Sequence, residues 1–105
     1  MELATRLTPG PRVLRVFFDH GHEWPLWESG TDKNTMEPSD YGFSEELIEL
    51  LRRWHRAWEP VASFDIGQPV AEPTEHDRKE LQSLRRQAIA VIKREVPPDV
   101  EVKAK

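Results

Sequence analysis

Two short segments of the chain alternate apolar and other residues with a period of two, which is typical of β-strands. One runs from Arg12 to Phe18 and is rich in β-branched and aromatic residues. The other lies at 100–104, where valine and alanine alternate with glutamate and lysine. We predict a strand at each place, the second one half-buried. Turn-forming residues at 8–11 leave residues 1–10 as either a frayed end or a hairpin arm.

Two longer segments show the three-to-four-residue spacing of an amphipathic helix. The first begins at Ser44, whose hydroxyl suits a helix N-cap, and is expected to end before Pro60. The second begins at Thr74, which forms a capping-box pattern with Asp77, and ends near Glu95 ahead of two prolines. The apolar positions that carry the spacing are Leu47, Leu51, Trp54 and Trp58 in the first segment and Leu81, Leu84, Ala88, Val91 and Ile92 in the second.

The two stretches between these elements are less regular. Residues 19–42 have no helical spacing and are expected to form an irregular acidic segment. The alternative is a tight hairpin between a short strand near Trp27 and another near Thr35, because long unstructured loops are unusual in small domains. Residues 61–73 contain Gly67, Pro69 and Pro73, which predict a connection, with a short strand at 62–66 as an option within it.

The order of these elements predicts an α+β fold in a single domain, residues 1–105. We expect a small two-layer domain with two helices packed on one face of a short sheet of about three strands. Because a short sheet leaves edges that need covering, we also expect a homodimer. The predicted core consists of Leu14, Val16, Phe18, Leu47, Leu51, Trp54, Trp58, Leu81, Leu84, Ala88, Ile92 and Val102.

Composition narrows the classes of function. The chain has no cysteine, which excludes disulfides, thiol catalysis and cysteine-based zinc sites. It has no apolar leader and no apolar run long enough to span a membrane, so we expect a cytoplasmic protein without membrane contact. The net charge is −4, and residues 19–50 hold nine acids against Lys33 alone. Such a segment repels nucleic acid, carries no cofactor-binding motif, and attracts a basic protein partner.

Aromatic residues are interleaved with these acids, a combination that suits protein recognition. Aromatic side chains supply affinity at interfaces, and an acidic field speeds encounter with a basic partner. The alternative is that the aromatics pack in the core and the acids solvate the surface. The candidate partner-binding residues are Glu23, Trp24, Trp27, Glu28, Asp32 and Tyr41.

The segment Asp19-His20-Gly21-His22-Glu23 directly follows the first predicted strand. Two imidazoles and flanking carboxylates at a strand end are ligands that a divalent metal ion accepts, and the ion would activate water for hydrolysis. The alternative is a polar turn that ends the strand. The candidate metal ligands are Asp19, His20, His22 and Glu23.

Three runs of the sequence resemble a group of short uncharacterised bacterial proteins. They are Trp-Pro-Leu-Trp at 24–27, Asp-Tyr-Gly-Phe-Ser-Glu-Glu-Leu at 40–47, and the Trp-x-x-x-Trp-Glu pattern at 54–59. The group has no established activity, so the resemblance transfers no functional residue. Size and acidity favour a non-catalytic protein-interaction module, such as an immunity-like neutraliser of a basic protein. A small metal-dependent hydrolase and a homodimeric structural domain are the alternatives.

Overall fold

Two long helices cover one face of a three-stranded sheet in the computed structural model of the chain. The structure describes residues 12–29 and 34–104. Along the chain these form strand β1 (Arg12–Val16), strand β2 (Leu26–Ser29), a short 3₁₀ helix (Pro38–Asp40), helix α1 (Glu45–Asp65), helix α2 (Glu75–Glu95) and strand β3 (Val100–Lys103). The predicted α+β class is confirmed. The possible N-terminal arm at 1–10 lies outside the described residues.

β1 is the central strand, with β2 antiparallel on one side and β3 parallel on the other. Its side chains alternate as the sequence predicts, so that Leu14 and Val16 are fully buried beneath the helices. The described parts of the segment, residues 19–29 and 34–42, are more regular than expected. β2 pairs with β1, and a bridge joins Trp27 to Thr35, as the hairpin alternative predicts.

α1 begins at the predicted residue but continues past the predicted end. The Ser44 hydroxyl accepts a hydrogen bond from the Leu47 amide at 3.1 Å. Pro60 lies inside the helix, so both the predicted stop and the optional strand at 62–66 are wrong. Pro60 is exposed, which leaves the carbonyl one turn earlier open to water, and the buried Val61 keeps the following turn packed.

The C-terminus of α1 is closed by a Schellman motif around Gly67. The Gly67 amide donates to the Phe64 carbonyl, and the Gln68 amide donates to the Ser63 carbonyl. Gly67 has φ of 89°, a backbone conformation that costs glycine little. The glycine therefore ends α1, a role that the sequence analysis gave to the proline seven residues earlier.

α2 has the predicted bounds and packs antiparallel to α1. Thr74 and Asp77 form the reciprocal hydrogen bonds of a capping box, at 3.0 and 2.9 Å. At the other end the Glu95 carboxylate accepts hydrogen bonds from both the amide and the hydroxyl of Ser44. The C-terminus of α2 is thereby fixed to the N-terminus of α1.

The core lies between the sheet and the two helices and differs in part from the predicted set. Phe18, Trp58, Leu81 and Val102 pack against it but are only half-buried. The buried residues outside the predicted core lie in or directly after the segment without clear periodicity, at the start of β3 or, for Val61, beyond the predicted end of α1. The buried core residues are Leu14, Val16, Leu26, Met36, Phe43, Leu47, Leu51, Trp54, Val61, Leu84, Ala88, Ile92 and Val100.

Candidate functional site

A cavity of about 290 Å³ opens between the turn before β2 and the exposed side of α1. Glu23 and Trp24 line it from the turn, and Leu51 lies in its wall. Trp24 is half-buried and Glu23 is exposed, so the indole remains accessible beside a carboxylate. The guanidinium carbon of Arg52 lies 5.9 Å from the centroid of the Trp24 ring, a cation–π distance. His55 and Arg56 complete the wall from α1.

Trp27 does not share this cavity, because it lies on the other face of the sheet. In the register with β1, Trp27 lies beside Arg15 on the side of the sheet away from the helices, whereas Trp24 lies in the turn before β2 and packs against the core. The Trp27 ring stacks on Phe17 with centroids 5.3 Å apart, and its Nε1 donates to the Phe17 carbonyl at 2.9 Å. The two tryptophans therefore cannot form one aromatic surface.

Glu28, predicted as an exposed partner contact, is instead buried, with 2% of its surface exposed. Its carboxylate accepts hydrogen bonds from the Arg12 guanidinium at 2.5 and 3.1 Å and from the Tyr41 hydroxyl at 2.5 Å. The prediction is wrong for Glu28 because β2 turns this residue toward α1 and α2. The half-buried Tyr41 has its hydroxyl committed to the same network. Asp32, the remaining candidate, lies outside the described residues.

Tyr41 gives this network a pH dependence that can be followed directly. Burial, and then its hydrogen bond to Glu28, raise the pKa of the Tyr41 phenol well above the usual value of about 10. The folded chain therefore holds this proton more tightly than the unfolded chain does. We expect stability to be independent of this group below pH about 10 and to fall above it, as the unfolded phenol ionises.

This expectation can be measured on one chromophore, because Tyr41 is the only tyrosine in the chain. Circular dichroism measures the alkaline unfolding, and phenolate absorbance should appear only as the chain unfolds. In Tyr41→Phe, the dependence of unfolding free energy on pH above about 10 should be weaker than in the wild type. Phenolate absorbance rising in a still-folded chain would contradict the burial of this hydroxyl.

The predicted metal-ligand segment forms a tight turn, and its four candidate ligands line one shallow cavity without three of them meeting at a metal-sized site. The His20 amide donates to the Asp19 carboxylate at 2.7 Å, and an isolated bridge joins Asp19 to His22. His22 Nε2 lies 2.8 Å from the Met36 carbonyl, so this nitrogen carries the proton and donates. His20 instead packs on the Trp58 ring at 5.1 Å. Within 12–29 and 34–104, no group of three or more His, Asp or Glu side chains converges on a metal-sized site.

His55 is a neighbour of this turn that the sequence analysis left out. It lies on α1, yet it lines a shallow cavity of about 290 Å³ together with His20 and Glu23. Its ring also packs edge-on against Phe18, at 5.1 Å between centroids. No spacing in the sequence places it here, because adjacent residues on a helix face different directions and the contact depends on where α1 lies relative to the end of β1.

Exposed acids gather around the N-terminus of α1. The segment 34–49 holds five acids and no lysine or arginine. Glu49 pairs with Arg56 at 3.4 Å, and both side chains are more than half exposed, so this pair neutralises little. In the part of the chain that the structure describes, no ion pair involves Glu37, Glu45 or Glu46. Their charges therefore add to an acidic field at this end of the molecule.

Comparisons with known proteins give no indication of a family or a function for the chain. No protein-family model matches the chain, and no curated protein or solved structure matches it either. The resemblance to short bacterial proteins stays a prediction. Among the described residues, neither helix has the length and apolar character that crossing a membrane requires.

Proposed function

We propose that the protein is a non-catalytic interaction module that binds a basic partner protein along the exposed side of α1. The observation that carries this proposal is that three exposed acids around the N-terminus of α1, Glu37, Glu45 and Glu46, form no ion pair within the described residues. Exposed carboxylates that form no ion pair attract a basic surface over roughly a Debye length, about 8–10 Å. This field raises the rate at which an oppositely charged protein is captured.

The accessible indole of Trp24 supplies the apolar contact that such a surface needs for affinity. From Glu45 to Arg56 α1 rises about 16 Å, so the acids and the Trp24 cavity fit within one ordinary interface. Three arginines lie at the cavity end. Two of them are engaged within the chain, Arg52 over the Trp24 ring and Arg56 with Glu49. The acids of α1 and the cavity rim (Glu23, Glu45, Glu46 and Glu49) outnumber the arginines (Arg52, Arg53 and Arg56).

A neutralising role, of the kind that immunity proteins have toward basic toxins, is the specific form of this proposal. An acidic surface that covers a basic active surface would block binding of phosphate-bearing substrates to it. The alternative of a metal-dependent hydrolase has less support. It needs His20 and His22 to face one ion, whereas one ring packs on Trp58 and the other donates to the Met36 carbonyl.

The proposal is tested by matched charge reversals at the starts of the two helices. The variant Glu45→Lys/Glu46→Lys changes the acidic end of α1, and Glu75→Lys/Glu80→Lys makes the same change of net charge on exposed residues of α2. Proteins captured from lysate of the source cell by the wild type are identified, purified and measured for binding to all three chains. The α1 variant should weaken binding of a basic partner by about tenfold or more, and the control by less than about twofold.

Measuring affinity at several salt concentrations distinguishes electrostatic binding from binding by apolar contacts alone. Because the attraction is between exposed charges, affinity for the captured partner should fall as ionic strength rises. If both variants bind equally well, or if every captured partner is acidic, the surface proposed here is wrong.

A further inference from the structure

β3 is an edge strand whose side chains are incompletely covered. Within residues 12–29 and 34–104 it pairs with β1 on one side and with no strand on the other. Val100 and Val102 share the helix-covered side, yet Val100 is buried whereas Val102 is only half-buried. A strand edge with open backbone groups and a half-covered apolar side chain is a template for another strand.

The opposite side of β3 carries two exposed charges, Glu101 and Lys103. The register with β1 places Lys103 beside Arg15 and Glu101 beside Val13. Like charges directly opposite each other in neighbouring strands are unfavourable. Among the described residues no acid forms an ion pair with Lys103. A carboxylate of another chain, placed on the outer side of Lys103, would therefore give this exposed ammonium an ion-pair partner.

We propose that a second copy of this chain pairs with β3 in an antiparallel, two-fold symmetric arrangement centred on Val102. In this register Val102 lies opposite Val102 of the second copy. Glu101 lies opposite Lys103 of the second copy, and the symmetry produces the same ion pair twice. The two sheets become one continuous sheet with all four helices on the same side.

Charge selects this register over its neighbours. The helices of both copies lie on one side of the sheet only when the two-fold axis passes through a residue of β3. The choices near the middle of the strand are Glu101, Val102 and Lys103. Centring on Glu101 places glutamates opposite each other, and centring on Lys103 places lysines opposite each other. Only the register centred on Val102 places opposite charges across from each other, and it also covers the part of Val102 that is still exposed.

The test is a charge swap within β3, followed by sedimentation equilibrium at low and high micromolar concentration. Glu101→Lys alone, or Lys103→Glu alone, places like charges opposite each other twice and should raise the dimer dissociation constant by about tenfold or more. The double variant Glu101→Lys/Lys103→Glu places opposite charges together again and should restore the wild-type dissociation constant. Because both residues are exposed, circular dichroism should show all four chains folded.

Rescue by the double variant distinguishes pairing through β3 from other contacts. Amide hydrogen exchange should in addition show protection of β3 that increases with protein concentration in the wild type and in the double variant only. A wild-type chain that stays monomeric at high micromolar concentration overturns the proposal. So does a dimer that the single reversals do not weaken. Neither result depends on the partner-binding surface along α1, which lies on a different element.

Discussion

Trp54→Ala should lower the free energy of unfolding by about 3–5 kcal/mol, the cost typical of emptying a buried aromatic position. Trp54 is 3% exposed and lies where α1 faces the end of β1. Its ring meets Phe18 edge-on, with centroids 4.7 Å apart, a favourable arrangement that alanine loses as well. Because small domains are stable by only about 5–15 kcal/mol, the variant should be close to unfolding.

Chemical denaturation at equilibrium measures this effect, and Ile66→Ala is the matched control. Ile66 lies just after the end of α1 and is 59% exposed, so its truncation should change stability by less than about 0.5 kcal/mol. If both variants unfold at the same denaturant concentration as the wild type, Trp54 does not lie in the core described here.

Glu28→Gln should cost about 2–3 kcal/mol, the second largest effect expected from a single substitution. The change keeps the shape of the side chain but removes the charge that faces the Arg12 guanidinium and the Tyr41 hydroxyl. Breaking a fully buried ion pair costs about 3–5 kcal/mol, and Arg12 keeps 25% of its side chain exposed, which reduces the penalty.

The control for this prediction is Glu49→Gln, which alters another Glu–Arg pair. Glu49 and Arg56 are 3.4 Å apart, with side chains 56% and 64% exposed. Pairs of this kind contribute about 0–1 kcal/mol, so the change in unfolding free energy should be small. A double-mutant cycle with Arg12→Ala measures the coupling at Glu28. No coupling between Arg12 and Glu28 would contradict the network.

The helices were predictable because local chemistry determines most of their limits. Ser44 and Thr74 satisfy amides in the first turn of their own helices, and this depends on nearby sequence alone. Pro60 misled the prediction because a proline inside a helix is tolerated where packing on both sides holds the chain, as the burial of Val61 does here. The prediction that Val102 is buried was wrong for a different reason. Alternation tells which side of a strand a residue takes, but the position of the strand in the sheet determines how fully that side is covered.

The candidate site was less predictable, since it depends on how distant elements meet. Alternation within β2 places Trp27 on the side opposite Leu26 and Glu28, but the position of Trp24 depends on the turn that precedes the strand. The burial of Glu28 was not predictable either, because its partners Arg12 and Tyr41 lie 16 and 13 residues away. The meeting of His55 with the turn at 19–23 likewise requires knowledge of how α1 crosses the sheet.

The pairing of β1 with β3 has a consequence for the way this chain is made. β1 is synthesised well before its parallel neighbour β3, with Arg12 opposite Val100. The hairpin with β2 and the antiparallel helices join segments that are close in sequence, so they can form while the ribosome is still adding residues. Until β3 emerges, one side of β1 stays open, and an open strand edge of this kind invites aggregation. Chains truncated so that they lack β3 should therefore be insoluble when expressed, rather than form a slightly shorter folded domain.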